Sequence, residues 1–327
     1  MNAVYFVKWT EIPDSFVPLR GTQNDGWDFW VACSIQNKIN SYLINYMENK
    51  TQIIDGKALA EEIKQQLRQE ITEKNIKPGL AVVLVGDDPA SQIYLKIKKK
   101  ACEQIGFDFH SYILDKNTDD EEVINTIEFL NNDPHIDGLI VQLPLPKNFN
   151  TDKILRSISP DKDADCLNPI NVNKILNNET AVVSPLVQGV INLLEATGEK
   201  LAGKKACLVL KNDILNKTLG HLLKQKKIKT ELIKPDAKNL SEQTKKADIL
   251  ITAVGQPFFI KKEMVKEGAI LIDIGTNKLD DNVIVGDVDY SEVFPLCSHI
   301  TPVPGGVGPM TVAMLLSNVL SLHRQKI

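Results

Sequence analysis

The chain has 327 residues, of which 43% are hydrophobic and 24% are charged, and its formal net charge is −4. This length allows two domains that each bury a core. The composition excludes a disordered chain, and the weak negative charge excludes the basic surface of a nucleic-acid-binding protein. No apolar run approaches the roughly 20 residues of a membrane-spanning helix, so we expect no membrane partner and a small-molecule ligand.

The cysteines are scattered along the chain without a C-x-x-C pair. Neither a zinc site nor a disulfide framework follows from such spacing, and a reducing cytoplasm fits it best. The five positions are Cys33, Cys102, Cys166, Cys207 and Cys297.

The first 46 residues differ from the rest of the chain. All three tryptophans, Trp9, Trp27 and Trp30, lie in this segment, which has no sustained period of 3.6 or 2. From Met47 onward the pattern becomes regular and leads into an amphipathic helix over Ala58–Lys74. We therefore expect Met47 to be the native start, with a small added appendage as the alternative.

Strand and helix patterns then alternate in two blocks, which predicts an α/β protein with parallel sheets. Between the blocks, residues 159–183 are rich in Pro, Asn and Asp, so we expect a crossing between domains with few regular elements. The first block predicts strands at Leu80–Val85, Phe109–Leu114 and Ile136–Val141, with helices at Ala90–Ile105 and Asp119–Asn132. The second predicts helices at Gly189–Thr197, Leu215–Lys226 and Ser241–Lys246, and strands at Lys205–Leu210, Thr230–Ile233, Ile249–Ala253 and Ala269–Ile274.

A glycine-rich segment, Thr301–Thr311, precedes a predicted apolar helix over Thr311–His323. Its glycines break regular structure and expose backbone N–H groups that a ligand can approach closely. A tight interdomain turn is the equally weighted alternative.

One face of the first-block helix carries an aromatic ring and an amine, because Tyr94 and Lys98 are four residues apart. Gln142 follows the third strand at the same sheet edge, where open α/β sheets bind ligands, so the three side chains can converge. An amine whose pKa is lowered by burial can act as a base, and a ring can stack on a flat substrate. The spacing alone is also typical of a solvated helix face.

Three acids alternate at Asp161, Asp163 and Asp165. Alternating carboxylates can bind calcium, but this stretch lacks the glycine and the distal glutamate of an EF-hand loop. We therefore expect no metal in this protein.

Several ordered motifs extend over residues 47–327, and together they resemble the methylenetetrahydrofolate dehydrogenase/cyclohydrolase family of FolD-type enzymes. The resemblance implies an N-terminal three-layer αβα folate domain (47–184 plus 306–327), a Rossmann-like NADP-binding domain (185–305) and a C-terminal helix that returns to the first domain; residues 1–46 lie outside the family. The motifs are Asp55-Gly-Lys57, Val85-Gly-Asp-Asp-Pro-Ala-Ser-Gln-Ile-Tyr94 with Lys98, Asp137-Gly-Leu-Ile-Val-Gln-Leu-Pro-Leu-Pro146, Ser159-Pro-Asp-Lys-Asp-Ala-Asp165, Gly286-Asp-Val-Asp289 and Pro304-Gly-Gly-Val-Gly-Pro-Met-Thr311.

The resemblance implies two reactions of one-carbon metabolism, which supplies purine biosynthesis. NADP oxidises 5,10-methylenetetrahydrofolate, and hydrolysis of the methenyl product gives 10-formyltetrahydrofolate. Lys98 would be the general acid/base of the hydrolysis and Gln142 its orienting neighbour. Tyr94 would pack against the folate, and Asp165 would bind the amino-pterin edge. The folate cleft would be lined by Pro304, Gly305 and Gly306, and the resemblance further implies a cytoplasmic homodimer.

The chain departs from the family pattern mainly in the second domain. The family's Gly-Arg-Ser-x-x-Val-Gly turn is here Leu210-Lys-Asn-Asp-Ile-Leu-Asn216, and both glycines are gone. Leu210 adds bulk where backbone must approach phosphates, whereas Asn216 tolerates a left-handed conformation. Lys211 keeps a positive charge without the bidentate fork of arginine. The cofactor-binding residues implied by the alignment are Leu210, Lys211, Asn212, Asn216 and Thr276.

Two further departures concern single positions. Thr276 stands where the family usually has isoleucine, and Cys166 replaces the glycine after Asp165, which predicts a strained turn. Three readings stay open: a bifunctional enzyme, a cyclohydrolase with lost or weakened dehydrogenase activity, and a non-catalytic folate-binding partner subunit. Retention of Lys98 and Gln142 favours an enzyme.

Overall fold

Two parallel sheets organise the residues that the computed structural model describes, which are 51–179, 182–279 and 283–326. The predictions for residues 1–46, including a native start at Met47, lie outside these described residues. Within them, no helix is both long and apolar enough to cross a membrane.

The strands are β1 Gln52–Ile53, β2 Gly79–Val85, β3 Asp108–Leu114, β4 Gly138–Val141, β5 Lys205–Leu210, β6 Lys229–Leu232, β7 Ile249–Ala253, β8 Ala269–Asp273, β9 Asn277–Lys278, β10 Ile284–Val285 and β11 Cys297–Ile300. The α-helices are α1 Gly56–Lys74, α2 Pro89–Ile105, α3 Asp120–Asn132, α4 Thr151–Ser157, α5 Pro169–Leu176, α6 Pro185–Ala196, α7 Asp213–Gln225, α8 Leu240–Thr244, α9 Tyr290–Val293 and α10 Val307–Arg324. Short 3₁₀ turns lie at Lys262–Met264 and Phe294–Leu296.

The first sheet confirms the predicted βαβαβ block. Its strand order is β3-β2-β4, and both neighbours run parallel to β2. Every residue of β2 is buried, because a central parallel strand is covered on both faces. The carboxyl ends of β2 and β4 therefore meet at one edge, where the chain enters α2 and reaches Gln142.

The second sheet has the order β1-β11-β8-β7-β5-β6, and all its pairings are parallel. From β5 the chain crosses to β6 on one side and then to β7 on the other. The crevice outside the carboxyl ends of β5 and β7 is therefore the topological switch point at which such sheets bind ligands.

The C-terminal helix α10 packs into the cores of both blocks. Met310 and Ala313 belong to the core beneath the second sheet, whereas Leu316 and Val319 belong to the core beneath the first. The helix was predicted to return to the first domain, and it does so while also contacting α6. It begins at Val307, four residues earlier than the predicted Thr311.

The described part of residues 159–183 holds one regular element, the short helix α5, which the sequence analysis did not predict. Asn168 caps it by accepting a hydrogen bond from the Ile170 N–H at 2.9 Å, and Pro169 occupies the first turn. Asn and Pro therefore begin a helix here rather than mark a loop. The unpredicted α4 likewise starts from a cap, Asn150.

Strands β1 and β11 were not predicted either. They pair in parallel, with Ile53 opposite Ile300, although their sequences show no strand-length pattern. This pairing places Gln52–Ile53 in the second sheet, whereas the predicted division assigns them to the first domain. The domain boundaries themselves stay a prediction.

Gly79→Ala is expected to lower the free energy of unfolding by about 1–3 kcal/mol. The new Cβ would lie 2.0 Å from the backbone oxygen of His135, which cannot move aside cheaply. Gly220→Ala in α7 is the matched control, because its Cβ would meet only side-chain carbons at 3.8 Å; helix propensity should then raise stability by about 0.5–1 kcal/mol. Urea unfolding measures both changes. Equal stability of the two variants would contradict the close backbone contact at Gly79.

Candidate active site

Helix α2 leaves the carboxyl end of β2 through a tight turn. Gly86 adopts a φ of 85°, a conformation that glycine reaches without steric cost. Asp88 then caps the helix by accepting a hydrogen bond from the Ser91 N–H at 2.8 Å, and Pro89 occupies the first helical position. These local signals direct the face that carries Lys98 toward the end of β4.

The Lys98 amine meets the Gln142 side chain, as the sequence predicts. Lys98 Nζ donates a hydrogen bond to Gln142 Oε1 at 2.6 Å. Gln142 Nε2 donates to the backbone oxygen of Leu143 at 2.8 Å, so the amide is held with its oxygen toward the lysine. The backbone N–H of Gln142 donates to the oxygen of Val83 at 2.8 Å, which ties the pair to β2. The lysine amine is therefore fixed by a buried amide that cannot turn over without losing a bond.

Lys98 and Asp165 influence each other's protonation. Burial lowers the pKa of Lys98, and the nearby Asp165 carboxylate opposes that decrease. Burial also raises the pKa of Asp165 to about 6; the Lys98 charge opposes this rise, and Asp163 adds to it. The site therefore pairs an amine biased toward its neutral, basic form with a carboxylate that ionises near neutral pH.

The loop that carries Asp165 is held on both sides. Asp163 is fully buried and accepts hydrogen bonds from the Asn168 N–H at 2.8 Å and from Asn171 Nδ2 at 3.1 Å. Asn318 of α10 donates from Nδ2 to the backbone oxygens of Ala164 and Val183, both at 2.8 Å. The sequence analysis did not identify Asn318; its signal was a buried amide within an otherwise apolar helix.

The three alternating acids thus have different surroundings. Asp163 supports the loop, Asp161 is exposed, and Asp165 lies beside Lys98. Across residues 51–179, 182–279 and 283–326, no group of three or more His, Cys, Asp or Glu side chains is arranged to hold a metal ion.

Cys166 adopts the left-handed conformation that the glycine of the family pattern would supply. Its φ is 54°, which costs a residue with a Cβ about 1–2 kcal/mol. Its thiol donates to the backbone oxygen of Val182 at 2.9 Å, and burial raises its pKa to about 12. Cys166 is therefore an inert, buried thiol that helps hold the turn after Asp165.

Tyr94 and the glycine-rich loop lie on elements adjoining the Lys98 pair. Tyr94 is 39% exposed and one helical turn before Lys98. Pro304 follows a cis peptide bond, and Gly305 has a φ of 113°. The oxygen of Gly306 lies so close to α1 that a Cβ on Gly56 would be 2.0 Å away. The loop leads into α10, which packs against both α2 and β4, the two elements that position Lys98 and Gln142.

Four of the predicted cofactor residues lie at the end of β5 and the start of α7, and the fifth, Thr276, follows β8. Leu210 is buried at the end of β5, and Lys211 is exposed while its backbone N–H donates to the oxygen of Ala253 at 3.2 Å. Asn212 caps α7 by accepting from the Leu215 N–H at 2.9 Å. Thr276 is exposed in the loop after β8.

Asn216 does not use the left-handed conformation considered for it. It lies inside α7, and its Nδ2 donates to the oxygen of Leu210 at 3.1 Å. Its Oδ1 is buried without a hydrogen-bond partner. The chain therefore passes from β5 to α7 without glycine, because two asparagine side chains satisfy backbone groups at the turn.

Two family models match consecutive parts of the chain. Residues 54–165 match the catalytic domain of tetrahydrofolate dehydrogenase/cyclohydrolase, and residues 184–327 match its NAD(P)-binding domain. The chain belongs to this family.

Relatives agree with this assignment over nearly their full length. The bifunctional protein FolD of Sulfurovum sp. (strain NBC37-1) is 45% identical over 279 residues, which cover 84% of this chain and 99% of that protein. The bifunctional protein FolD of Wolinella succinogenes is also 45% identical, over 84% of this chain and 98% of its own.

Solved structures of family members have the same fold. The bifunctional FolD enzyme from Campylobacter jejuni has a TM-score of 0.82 and 40% identity, and covers 85% of this chain and 100% of its own. The FolD of Trypanosoma brucei, complexed with NADP cofactor and inhibitor, has a TM-score of 0.81 and 32% identity, over 84% and 98% of the two chains.

Lys98→Met is expected to raise the pKa of Asp165 above about 6, because it removes the positive charge that favours the carboxylate. Carboxyl ¹³C NMR during a pH titration measures this value. Lys96→Met, an exposed position on the same helix, is the control and should leave it unchanged. An unaltered Asp165 titration in Lys98→Met would contradict the electrostatic coupling.

Proposed function

We propose that the protein is a bifunctional enzyme of one-carbon folate metabolism. It oxidises 5,10-methylenetetrahydrofolate with NADP, and it hydrolyses the resulting 5,10-methenyltetrahydrofolate to 10-formyltetrahydrofolate. The observation that carries this proposal is the hydrogen bond between Lys98 and the oriented amide of Gln142, beside Asp165.

The hydrolysis needs a base that stays neutral beside a cationic substrate. Burial lowers the pKa of Lys98 in the free protein, and the positive methenyl group would lower it further. Neutral Lys98 takes a proton from the water molecule that adds to the methenyl carbon. The resulting ammonium returns a proton to N5 as the bond between N5 and that carbon breaks, and the hydroxyl proton leaves to solvent. Gln142 holds the amine in position throughout.

Substrate binding is assigned to three further groups. A carboxylate accepts two hydrogen bonds side by side, which suits the paired N–H donors of an amino-pterin, and Asp165 is the carboxylate beside Lys98. Tyr94 offers an exposed ring on the same helical face for stacking. The loop Pro304–Gly306 lines the cleft with backbone.

The residues at the switch point fit a dinucleotide. The exposed amine of Lys211 and the N-terminus of α7 both attract phosphate, and they adjoin the carboxyl ends of β5 and β7. When bound, NADP supplies the hydride acceptor of the oxidation. Lys211 would hold its 2′-phosphate and Asn212 would lie next to its other phosphates on the β5 side, and Thr276 lies in the loop on the β8 side.

Lys98→Met is expected to slow methenyltetrahydrofolate hydrolysis by about 10²–10⁴-fold, the usual contribution of a general acid/base. The decay of the methenyl absorbance measures the rate, with Lys96→Met as the control. Unchanged hydrolysis in folded Lys98→Met would remove Lys98 as the catalyst, and the non-catalytic folate-binding subunit would then be the function to test.

A second candidate, a cyclohydrolase with weakened dehydrogenase activity, is favoured by one observation at the cofactor site. The Asn212 side chain accepts a hydrogen bond from the Leu215 N–H at the start of α7, so this N–H is not free to bind a phosphate. In addition, the bulky Leu210 stands where the family has glycine. Fewer free N–H groups and less room for backbone approach both weaken phosphate binding.

Lys211→Ala is expected to raise the KM for NADP about tenfold while changing the KM for NAD little, because only NADP carries a 2′-phosphate. NADPH appearance over a wide cofactor range measures both constants. Lys217→Ala, also exposed on α7, is the control. Saturable turnover by the unmodified protein supports the bifunctional reading, and no turnover by folded protein supports the second candidate.

We further propose that the protein acts in the cytoplasm as a homodimer. In support, β6 is the edge strand of the second sheet, and Leu232 on it is 52% exposed. The unpaired backbone groups of an edge strand can pair with a second copy of the chain. Light scattering after size-exclusion chromatography measures the mass directly.

A further inference from the structure

A buried carboxylate outside the proposed folate site organises the loop after β7. Asp287 is completely buried. It accepts hydrogen bonds from three consecutive backbone N–H groups, those of Val254, Gly255 and Gln256, the last two at 3.1 Å. It also accepts from Asn277 Nδ2 at 2.9 Å. One side chain therefore joins the loops that follow β7 and β8.

A second buried carboxylate holds the first in place. Asp273, at the end of β8, accepts hydrogen bonds from the N–H groups of Asp287 at 3.2 Å and Val288 at 2.9 Å. The packing leaves no room for side chains at two glycines. A Cβ on Gly286 would lie 1.9 Å from Asp273 Oδ2, and one on Gly275 would lie 2.3 Å from Asp287 Cγ.

The loop Val254–Gln256 forms one wall of the crevice at the switch point. It continues directly from β7, and the residue before it, Ala253, accepts the hydrogen bond from the Lys211 N–H that ends the pairing of β5 with β7. Gly255 has a φ of 67°, and no atom lies within 4 Å of where its Cβ would be, so its backbone borders open space.

Three consecutive N–H groups that point to one side form a concavity suited to an anion. In this loop the concavity is filled by the protein's own carboxylate, Asp287. For a cofactor phosphate, the exposed amine of Lys211 and the start of α7 on the β5 side are the donors that we propose. The loop's N–H groups point to Asp287, and the backbone of Gly255 borders open space where a ligand can approach.

We propose that Asp287 is a positioning residue of the dehydrogenase reaction, which fixes Val254–Gln256 as the cofactor-binding wall of the crevice and is itself held by Asp273. This inference rests on the proposed NADP-dependent function. Asp287 acts through the loop rather than by touching the reacting atoms. The cyclohydrolase residues lie on the other sheet, so the hydrolysis serves as an internal control.

Asp287→Asn tests the proposal in the full-length protein, because it keeps the shape of the side chain but directs an NH₂ group at N–H donors. We expect the Kd and KM for NADP to rise by about 10- to 100-fold, the effect of losing one or two charge-assisted hydrogen bonds. Methenyltetrahydrofolate hydrolysis should stay within about twofold of the unmodified rate. Hydrogen exchange should show loss of protection at the amides of residues 254–256.

Asp289→Asn is the matched control in the same motif. Its carboxylate accepts a hydrogen bond from the Lys261 amine at 2.7 Å and from the Ser291 hydroxyl at 3.0 Å, and not from the backbone N–H groups of residues 254–256, so NADP binding should not change. Asn277→Ala removes one of the bonds to Asp287 and should weaken NADP binding in the same direction by a smaller factor. This second variant decides the question if Asp287→Asn does not fold.

Three results would overturn the proposal. The first is a Kd for NADP in folded Asp287→Asn that lies within about twofold of the unmodified value. The second is unchanged amide protection at residues 254–256 in that variant. The third is that the unmodified protein binds no NADP. Only the last also counts against the dehydrogenase half of the proposed function. If the unmodified protein did not hydrolyse methenyltetrahydrofolate, that result would count against the cyclohydrolase half of the proposed function and would leave this inference intact.

Discussion

The apolar packing of α10 into two cores at once is the constraint on which both sites depend. The helix starts at the glycine-rich loop whose Gly306 lies against α1, and Asn318 in its middle holds the segment that carries Asp165. At its C-terminal end, His323 bonds the buried Asp137 at 3.0 Å, which in turn accepts from the Gly79 N–H at 2.9 Å. Because one rigid element makes all these contacts, the cleft and the first sheet keep a fixed relation.

The chemistry of the first block follows from burying one amine and one carboxylate together. Each group would shift strongly toward its neutral form if buried alone, and each opposes that shift in the other. The pKa of the Lys98 amine is lowered and that of the Asp165 carboxyl is raised to about 6, and each group limits the shift of the other. The neutral amide of Gln142 orients the Lys98 amine through a hydrogen bond and brings no further charge into the site.

The two walls of the cofactor crevice are built in different ways. On the β5 side, Leu210 and Asn216 stand at the glycine positions of the family pattern, and the side chains of Asn212 and Asn216 bond backbone groups at the turn. On the β7 side, the buried charge of Asp287 gathers three N–H groups inward. The first arrangement leaves Lys211 exposed next to the α7 N-terminus, and the second ties the loop after β7 to Asp287. A glycine-poor crevice is thus compatible with an ordered switch point.

The sequence by itself determined the βαβαβ alternation, the parallel sheets, and the meeting of Lys98 with Gln142. Apolar period and capping residues are local signals, and the carboxyl ends of adjacent parallel strands must share an edge. Tertiary structure alone decided the pairing of β1 with β11, the helix α5 within a segment that resembled a loop, and the roles of Asn318 and Asp287. These features depend on hydrogen bonds between residues far apart in the chain, or on asparagine caps that also resemble turns. A buried polar side chain is recognised by the partner it meets, and that partner is set by the fold rather than by neighbouring sequence.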